Sequence, residues 1–461
     1  MANSPLNVVI LAAGQGTRMK SSLPKVLHPL AGKALVQHVI DSAKNLVSDA
    51  SNKINITVIY GHGGELVPAT LADDSINFVI QEQQLGTGHA VQQAMPHVSD
   101  DETVLILYGD VPLIKTETLG ELIKQSENAL GLLSVHLSDP FGYGRIVRDE
   151  HGAVQAIVEQ KDASAEQLTI AEGNTGILAA NGKQLKKWLS QLSNDNAQGE
   201  FYLTDIIAMA VSDGVAVNTC HPDTEEEVLG VNSRSQLAHL ERCYQQQQAE
   251  ALMIQGVTVI DPQRLDIRGN VSIGKDVTLD VNVILQGNVT IADNVYIGAN
   301  SVIIDSSIDE NVEVLPMCVI EQAHVGAGTR MGPYSRLRPG ADLKGDNHIG
   351  NFVEIKNSQI GNGSKVNHLS YIGDTQMGND VNIGAGTITA NYDGANKHKT
   401  VIEDKASTGS NSVMVAPVKI SKGTTIGAGS VITKDTPEDK LTLTRSKQIT
   451  LDNWKRPSKK K

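Results

Sequence analysis

Aliphatic residues fall at Ile273, Leu279, Leu285, Ile291, Ile297 and Ile303, a strict step of six, and Val271, Val277, Val283, Val289 and Val295 keep the same step beside them. The pattern resumes at Ile349 and Ile355, at Ile360, Val366 and Ile372, and at Ile420, Ile426 and Ile432. No helix period fits six residues. A hexapeptide step instead predicts a parallel β-helix: each hexad forms one flat face, three faces close a triangular coil, and each aliphatic packs on its equivalent one coil away. Glycine, Asn and Asp are suited to the corners, where the chain turns sharply and φ is often positive. An aromatic content of 3% fits a core too narrow for bulky rings.

The front of the chain reads differently. Val8–Ala13, Ile56–Tyr60, Phe78–Gln81 and Val104–Leu107 are short apolar runs that predict strands, with Ala34–Leu46 and Glu117–Gln125 as helices between them. Strands alternating with helices predict an α/β domain with a Rossmann-like, mostly parallel sheet. Ligands in such sheets bind beyond the carboxyl ends of the strands, so the loops after Ala13, Ile80 and Leu107 are the places to look. Between the two textures, residues 233–255 are polar, with Leu237, Leu240, Tyr244, Leu252 and Met253 along one face, and predict a connecting helix. The expected organisation is residues 1–234, a helical linker over 235–255, and a β-helix over 256–461.

Charge and cysteine usage narrow the function. A net charge of −13 over 461 residues argues against a nucleic-acid partner, which needs basic surface. The basic tail Lys455–Lys461 reads as a solvated end. Cys220, Cys243 and Cys318 are far apart with no CxxC pair, which argues against a disulfide framework or a cysteine-built structural zinc site and fits a reducing cytoplasm. No apolar run is long enough to span a bilayer. The opening apolar run has no basic segment before it and leads straight into glycines, so it reads as a buried strand and not a signal peptide.

The sharpest chemical signal is Leu11-Ala12-Ala13-Gly14-Gln15-Gly16-Thr17-Arg18-Met19, followed by Leu23-Pro24-Lys25. Small residues at a strand end let the backbone approach a base and a triphosphate, and its N–H groups bind anionic oxygen. Arg18 and Lys25 supply the positive charge that phosphoryl transfer needs. Two decoys fail. Met19 stands where a dinucleotide-binding loop requires its third glycine, and the near P-loop at Gly269–Lys275 continues with Asp276 inside the hexads. The loop resembles the signature of nucleotide-sugar pyrophosphorylases. That resemblance implies nucleotide contacts at Leu11, Ala12, Ala13, Gly14, Gln81, Gly86 and Thr87. It places Tyr108, Gly109 and the metal-binding Asp110 at a strand end, with sugar contacts and a second metal position at Gly144, Glu159, Asn174 and Asn232. A lone carboxylate beside a phosphate loop suits Mg²⁺, which keeps most of its waters. A sugar-phosphate nucleophile is already ionised, so catalysis reduces to alignment and charge neutralisation.

Within the hexads, residues 330–445 collect polar side chains, and Thr389–Lys397 interrupts the period and must loop outward. Such insertions usually mark the binding face of a solenoid. This stretch resembles the acetyltransferase half of bifunctional N-acetylglucosamine-1-phosphate uridyltransferases, and the order of the two halves agrees with that family over nearly the whole chain. The resemblance implies a left-handed β-helix, against the usual right-handed rule for crossovers. It implies His368 as general base, Arg338 and Lys356 on the sugar phosphate, and Tyr371 and Asn382 on the sugar. It also implies Ala385, Asn391, Tyr392, Ser410, Ala428 and Arg445 on acetyl-CoA. The expected reactants are glucosamine 1-phosphate, acetyl-CoA, N-acetylglucosamine 1-phosphate and UTP, with Mg²⁺, in a homotrimer. Ala390 stands where the family often carries cysteine, so thiol sensitivity does not follow.

Two other readings remain open at this point. One is a nucleotidyltransferase with another base or sugar and a purely structural β-helix; His368, Lys356 and Tyr371 together tell against it. The other is a non-enzymatic exchange-factor scaffold; such a scaffold has no reason to keep Arg18, Lys25, Asp110 and Asn232.

Overall fold

The computed structural model describes residues 5–14, 16–46, 54–61 and 64–459. Gln15 of the glycine loop, and Lys460 and Lys461 of the basic tail, lie outside the described residues. The chain divides into two compact units, Met1–Tyr244 and Gln245–Lys461.

The first unit is built on a nine-stranded sheet. Its strands are β1 (Leu6–Ala12), β2 (Ile54–Tyr60), β3 (Ile76–Ile80), β4 (Thr103–Tyr108), β5 (Leu130–His136), β6 (Arg145–Arg148), β7 (Val154–Val158), β8 (Glu172–Asn181) and β9 (Val217–Cys220). The main order is β9-β5-β8-β4-β1-β2-β3, and the hairpin β6/β7 joins through β8. β1 pairs in parallel with both β2 and β4, and β5 with β9, while β8 runs antiparallel between β4 and β5. The sheet is therefore mostly parallel, as the alternation of runs predicts. The central strands are apolar at nearly every position because both faces are covered: Val8, Ile10, Leu105 and Leu107 pack to one side, Val9, Val104 and Ile106 to the other. Helix Leu35–Lys44 buries Leu35, Val36, Val39 and Ile40, which recur at helical spacing.

The polar stretch after Ser233 forms one helix, Arg234–Ile254, and the boundary between the units falls inside it. It is thus shared between the units, where the sequence suggests a separate linker. In the first unit Leu240 packs with Met19, Leu30 and Leu35. In the second, Ala249 and Leu252 join the aliphatic core, and the Gln245 side chain donates to Ile267 O at 2.8 Å and accepts from Ile267 N at 2.7 Å. This mid-helix side chain thereby satisfies backbone groups that a first coil would leave unpaired.

The second unit is a parallel β-helix. An 11-stranded ladder forms one face, and a 17-stranded ladder wraps the other two. The hexads set the register of the first coils, where Leu279 pairs with Ile297 and Leu285 with Ile303; further on a coil is one residue shorter, and Ile349 pairs with Val366 and Ile355 with Ile372. These aliphatics form one continuous buried column, and each is worth roughly 1.5–3 kcal/mol on burial. Many corners are αL residues, often Asn, and the Asn282 side chain donates to that of Asn300 one coil on at 3.0 Å. Four successive corners carry bulk instead: Met317, Tyr334, Phe352 and Leu369 have φ of 63°, 59°, 58° and 49° and are exposed.

Candidate functional sites

In the first unit, β1 and β4 end side by side, with Leu11 registered against Tyr108 and Gly109 N donating to Leu11 O at 2.9 Å. Beyond these ends lies a cavity of about 320 Å³ lined by Leu11, Ala12, Ala13, Gly14, Lys25, Gln81, Gly86, Thr87, Tyr108 and Asp110. All ten are residues singled out in the sequence. Gln84, Glu200, Val26 and Ala90 complete the lining and were not anticipated. The Gln84 amide donates to Ala13 O at 2.7 Å, fixing the end of the first strand; its place three residues after Gln81 was the available signal. Gly16 is αL at φ 60°, and a Cβ there would stand 2.7 Å from Lys25 Cβ. The glycine thus lets the loop close onto the lysine, which is more than a plain turn requires.

Charge concentrates at the mouth of this cavity. The Lys25 ammonium pairs with the Asp110 carboxylate and donates to Asn232 Oδ1 at 2.9 Å. Asp110 and Asn232 come from segments far apart in the chain, joined by Val231 N donating to Asp110 O at 2.8 Å. A carboxylate oxygen and an amide oxygen that already converge on a cation form a donor set suited to a hard metal ion. Tyr108 underlies the site; burial raises its hydroxyl pKa, with Glu159 and Asp110 adding to the effect. Glu159 is also raised by burial, opposed by a 3.2 Å hydrogen bond from Thr204 and reinforced by Asp162 and Asp205. Gly144 packs near the Glu159 carboxylate and accepts from Asn174 N at 2.8 Å, so these three predicted residues also gather. Arg18 does not join the lining; it is exposed on the turn Thr17–Met19.

In the second unit the predicted residues arrange by ladder register. Lys365 pairs with Asn382, Asn382 with Ser407, and Ser407 with Thr425, which places His368, Ala385, Ser410 and Ala428 in one column on successive coils. Backbone bonds confirm the column: Gly386 N to His368 O at 3.1 Å, Asn411 N to Ala385 O at 2.7 Å and Gly429 N to Ser410 O at 2.8 Å. Arg445 is next to it, its side chain over Gly429. The step from Ala385 to Ser410 is long because the inserted segment leaves the coil between them. That insertion is anchored by the buried Asn391, whose amide donates to Asp374, and Tyr392 at its outer part is exposed.

Arg338 and Lys356 stand at the other end of the face that begins beyond His368. Arg338 donates to Glu354 at 2.9 Å, and Glu354 is registered opposite Tyr371. Tyr371 lies over Gly373, where any Cβ would meet its hydroxyl at 2.5 Å. The Lys356 pKa is lowered, first by the neighbouring Lys397 of the insertion and then by desolvation. Lys397 was not among the predicted site residues; only its place in the loop hinted at it. Two ammonium groups held together, with Arg338 one coil away, make a site for a multiply charged anion. Asn382 lies one face away from this group, so a single chain spreads the predicted acceptor residues along two faces.

Among the described residues no helix is long and apolar enough to cross a membrane. Residues 8–259 match the family of MobA-like NTP transferase domains, and residues 270–305 match the bacterial transferase hexapeptide family of six repeats. The chain is 56% identical over 457 residues to a protein of Ralstonia pickettii (strain 12J) named bifunctional protein GlmU, with 99% of each chain covered. Matching of both halves, in order and nearly end to end, removes the reading as a nucleotidyltransferase on an inert β-helix and the reading as a scaffold. The two halves thus belong to one enzyme: this chain is a member of the GlmU family, bifunctional transferases with a uridyltransferase domain ahead of a hexapeptide-repeat acetyltransferase domain.

Proposed function

We propose that the chain makes UDP-N-acetylglucosamine in the cytoplasm in two steps, acetylating glucosamine 1-phosphate on the β-helix and then transferring UMP from UTP to the product in the first unit. The observation that carries the reading is the column His368–Ala385–Ser410–Ala428 on successive coils, which supports His368 as general base beside acetyl-CoA contacts at the other three.

In the first step the sugar amine attacks the thioester carbonyl, His368 takes the amine proton, the C–S bond breaks and coenzyme A leaves as the thiol. Arg338 and Lys356 hold the sugar phosphate, Tyr371 and Asn382 orient the ring, and Asn391, Tyr392 and Arg445 grip the cofactor beside the column. The backbone at Ala385 stabilises the oxyanion. One chain spreads these groups over two faces, and a second copy packed along them would close the cleft. The exposed αL residues Met317, Tyr334, Phe352 and Leu369 support a homotrimer, since bulky side chains rarely take that conformation without a packing reason.

In the second step a phosphate oxygen of N-acetylglucosamine 1-phosphate attacks the α-phosphorus of UTP, and the bond to the leaving pyrophosphate breaks. Leu11–Gly14 and Gln81, Gly86 and Thr87 hold the nucleotide, and Gly144, Glu159 and Asn174 hold the sugar. Lys25 and Arg18 neutralise charge on the transferred group. Asp110 and Asn232 are the residues to hold Mg²⁺, which supplies charge neutralisation at the phosphates when bound. The test is incubation with glucosamine 1-phosphate, acetyl-CoA, UTP and Mg²⁺, following free thiol and pyrophosphate separately. Pyrophosphate released without prior thiol release would overturn the order of steps.

A further inference from the structure

Toward the β9 end of the first unit's sheet, β5 lies between β8 and β9, and their ends bring three potential ligands together. His136 closes β5, Glu172 opens β8 directly opposite it in the ladder, and His221 follows the end of β9. Their ligand atoms all lie within 4.8 Å of one another, the only such group of three among the described residues. None of them takes part in the chemistry proposed above.

The surroundings orient His221 and Glu172 as ligands. His221 Nδ1 lies 3.0 Å from Ser134 O, an acceptor only, so that nitrogen carries the proton and Nε2 keeps its lone pair. A ring nitrogen bonded to a backbone carbonyl is the usual support of a metal-ligating histidine. Glu172 is buried. Burial pulls its pKa up, but hydrogen bonds from Arg148 and Ser134 outweigh this and keep it ionised. Oε1 accepts from Arg148 Nη2 at 2.7 Å and Ser134 Oγ at 2.6 Å, whereas among the described residues Oε2 accepts only from Arg148 Nε at 2.8 Å. One lone pair on Oε2 therefore remains. The rings of His136 and His221 lie 5.2 Å apart, with His221 anchored on Ser134 and His136 exposed. Four-coordinate zinc needs donors about 3.3 Å apart, given bonds near 2.0 Å, and rotation of the exposed His136 imidazole toward the anchored His221 narrows that gap.

We propose that His136, Glu172 and His221 form a second metal site, for a borderline transition ion such as Zn²⁺, Co²⁺ or Ni²⁺, with water completing the coordination. Two imidazoles and one carboxylate favour these ions, whereas Mg²⁺ prefers an all-oxygen set such as Asp110 and Asn232. The bound ion ties the ends of three adjacent strands at the rim where β8 goes on to Gly173 and Asn174. It is a clasp on that edge, independent of the uridylyl-transfer metal.

The full chain, stripped with chelator and dialysed against Zn²⁺ in millimolar Mg²⁺, is expected to retain one Zn²⁺ per chain and to melt at a higher temperature with Zn²⁺ than without, since an ion bound only by the folded state stabilises it. Co²⁺ is expected to give the visible absorption of a low-coordinate nitrogen and oxygen site. H136Q/H221Q should lose the ion, the absorption and the thermal shift together, while H151Q, an exposed histidine outside the group, keeps all three. Wild-type binding that survives unchanged in H136Q/H221Q, or no Zn²⁺ retained by the wild type, overturns the site. Melting curves without metal, alike for all variants, establish that the substitutions left the fold intact.

Discussion

Asn351 and His368 face each other on neighbouring coils, with Asn351 Oδ1 3.2 Å from His368 Nδ1. An amide oxygen only accepts, so Nδ1 donates and Nε2 is left as the basic nitrogen. His368→Ala is expected to slow acetyl transfer by about 10²–10⁴-fold. Asn351→Leu frees the tautomer and should cost about tenfold, or roughly 1.4 kcal/mol in the barrier. Both variants should release pyrophosphate from UTP and N-acetylglucosamine 1-phosphate at the wild-type rate. Equal loss of both activities would remove His368 from the acyl-transfer role.

Lys25 bridges Asp110 and Asn232, so removing either end of the bridge should affect uridylyl transfer alone. Lys25→Ala is expected to lower it by about 10²–10³-fold, the usual cost of one electrostatic stabiliser. Asp110→Asn should abolish its dependence on Mg²⁺ concentration together with most of the rate. Acetyl-CoA consumption measured in the same samples is expected to be unchanged.

Thiol chemistry should be silent. Burial pushes the Cys220 and Cys318 thiols up to about 11, and Ala390 puts no sulfur at the insertion. Few thiolates form at neutral pH, and thiolate is the reactive species. Treatment with N-ethylmaleimide at pH 7 is expected to leave acetyl transfer intact, with mass spectrometry locating any label on Cys243.

His324 bridges two carboxylates, with Nε2 3.0 Å from Asp309 and Nδ1 3.0 Å from Asp342. Burial lowers its pKa, but the hydrogen bonds and charges of the two aspartates leave it raised above 6.5. Its contribution to stability is thus complete below 6.5 and is lost as pH rises through the higher folded value. Asp342 moves the other way: burial raises it, but Lys344 and His324 hold it below 3.8. Its contribution is present above 3.8 and is lost as pH falls through the lower folded value. The clamp therefore stabilises the β-helix most between about 4 and 6.5. Denaturant unfolding should show His324→Asn losing more stability at pH 6 than at pH 8.5.

Tyr334 and Phe352 stack with ring centroids 5.4 Å apart while both remain exposed. Tyr334→Ser/Phe352→Ser is expected to dissociate the assembly in analytical ultracentrifugation and to abolish acetyl transfer, with uridylyl transfer retained. A variant that stays assembled would place the contact between copies elsewhere.

Much of this molecule is legible in one dimension because its order is local. A six-residue step dictates a coil, since each aliphatic must reach its neighbour in the stack, and Leu279 under Ile297 or Leu285 under Ile303 follow from counting. The loop from Leu11 to Lys25 carries its chemistry in consecutive residues, and most of the first cavity's lining was readable from it and from the Gln81–Thr87 and Tyr108–Asp110 segments. Other features depend on residues distant in sequence. The joining of Lys25 to Asn232 requires the chain to return after the whole α/β unit has closed, and no local pattern encodes that return. Gln84 on Ala13, Lys397 beside Lys356, and His221 beside His136 and Glu172 are likewise products of register and loop path. Hydrophobic period determines which coils and strands exist, because burial depends on spacing along the chain; which polar groups meet depends on how those elements are ordered side by side, and that is fixed only by packing in three dimensions.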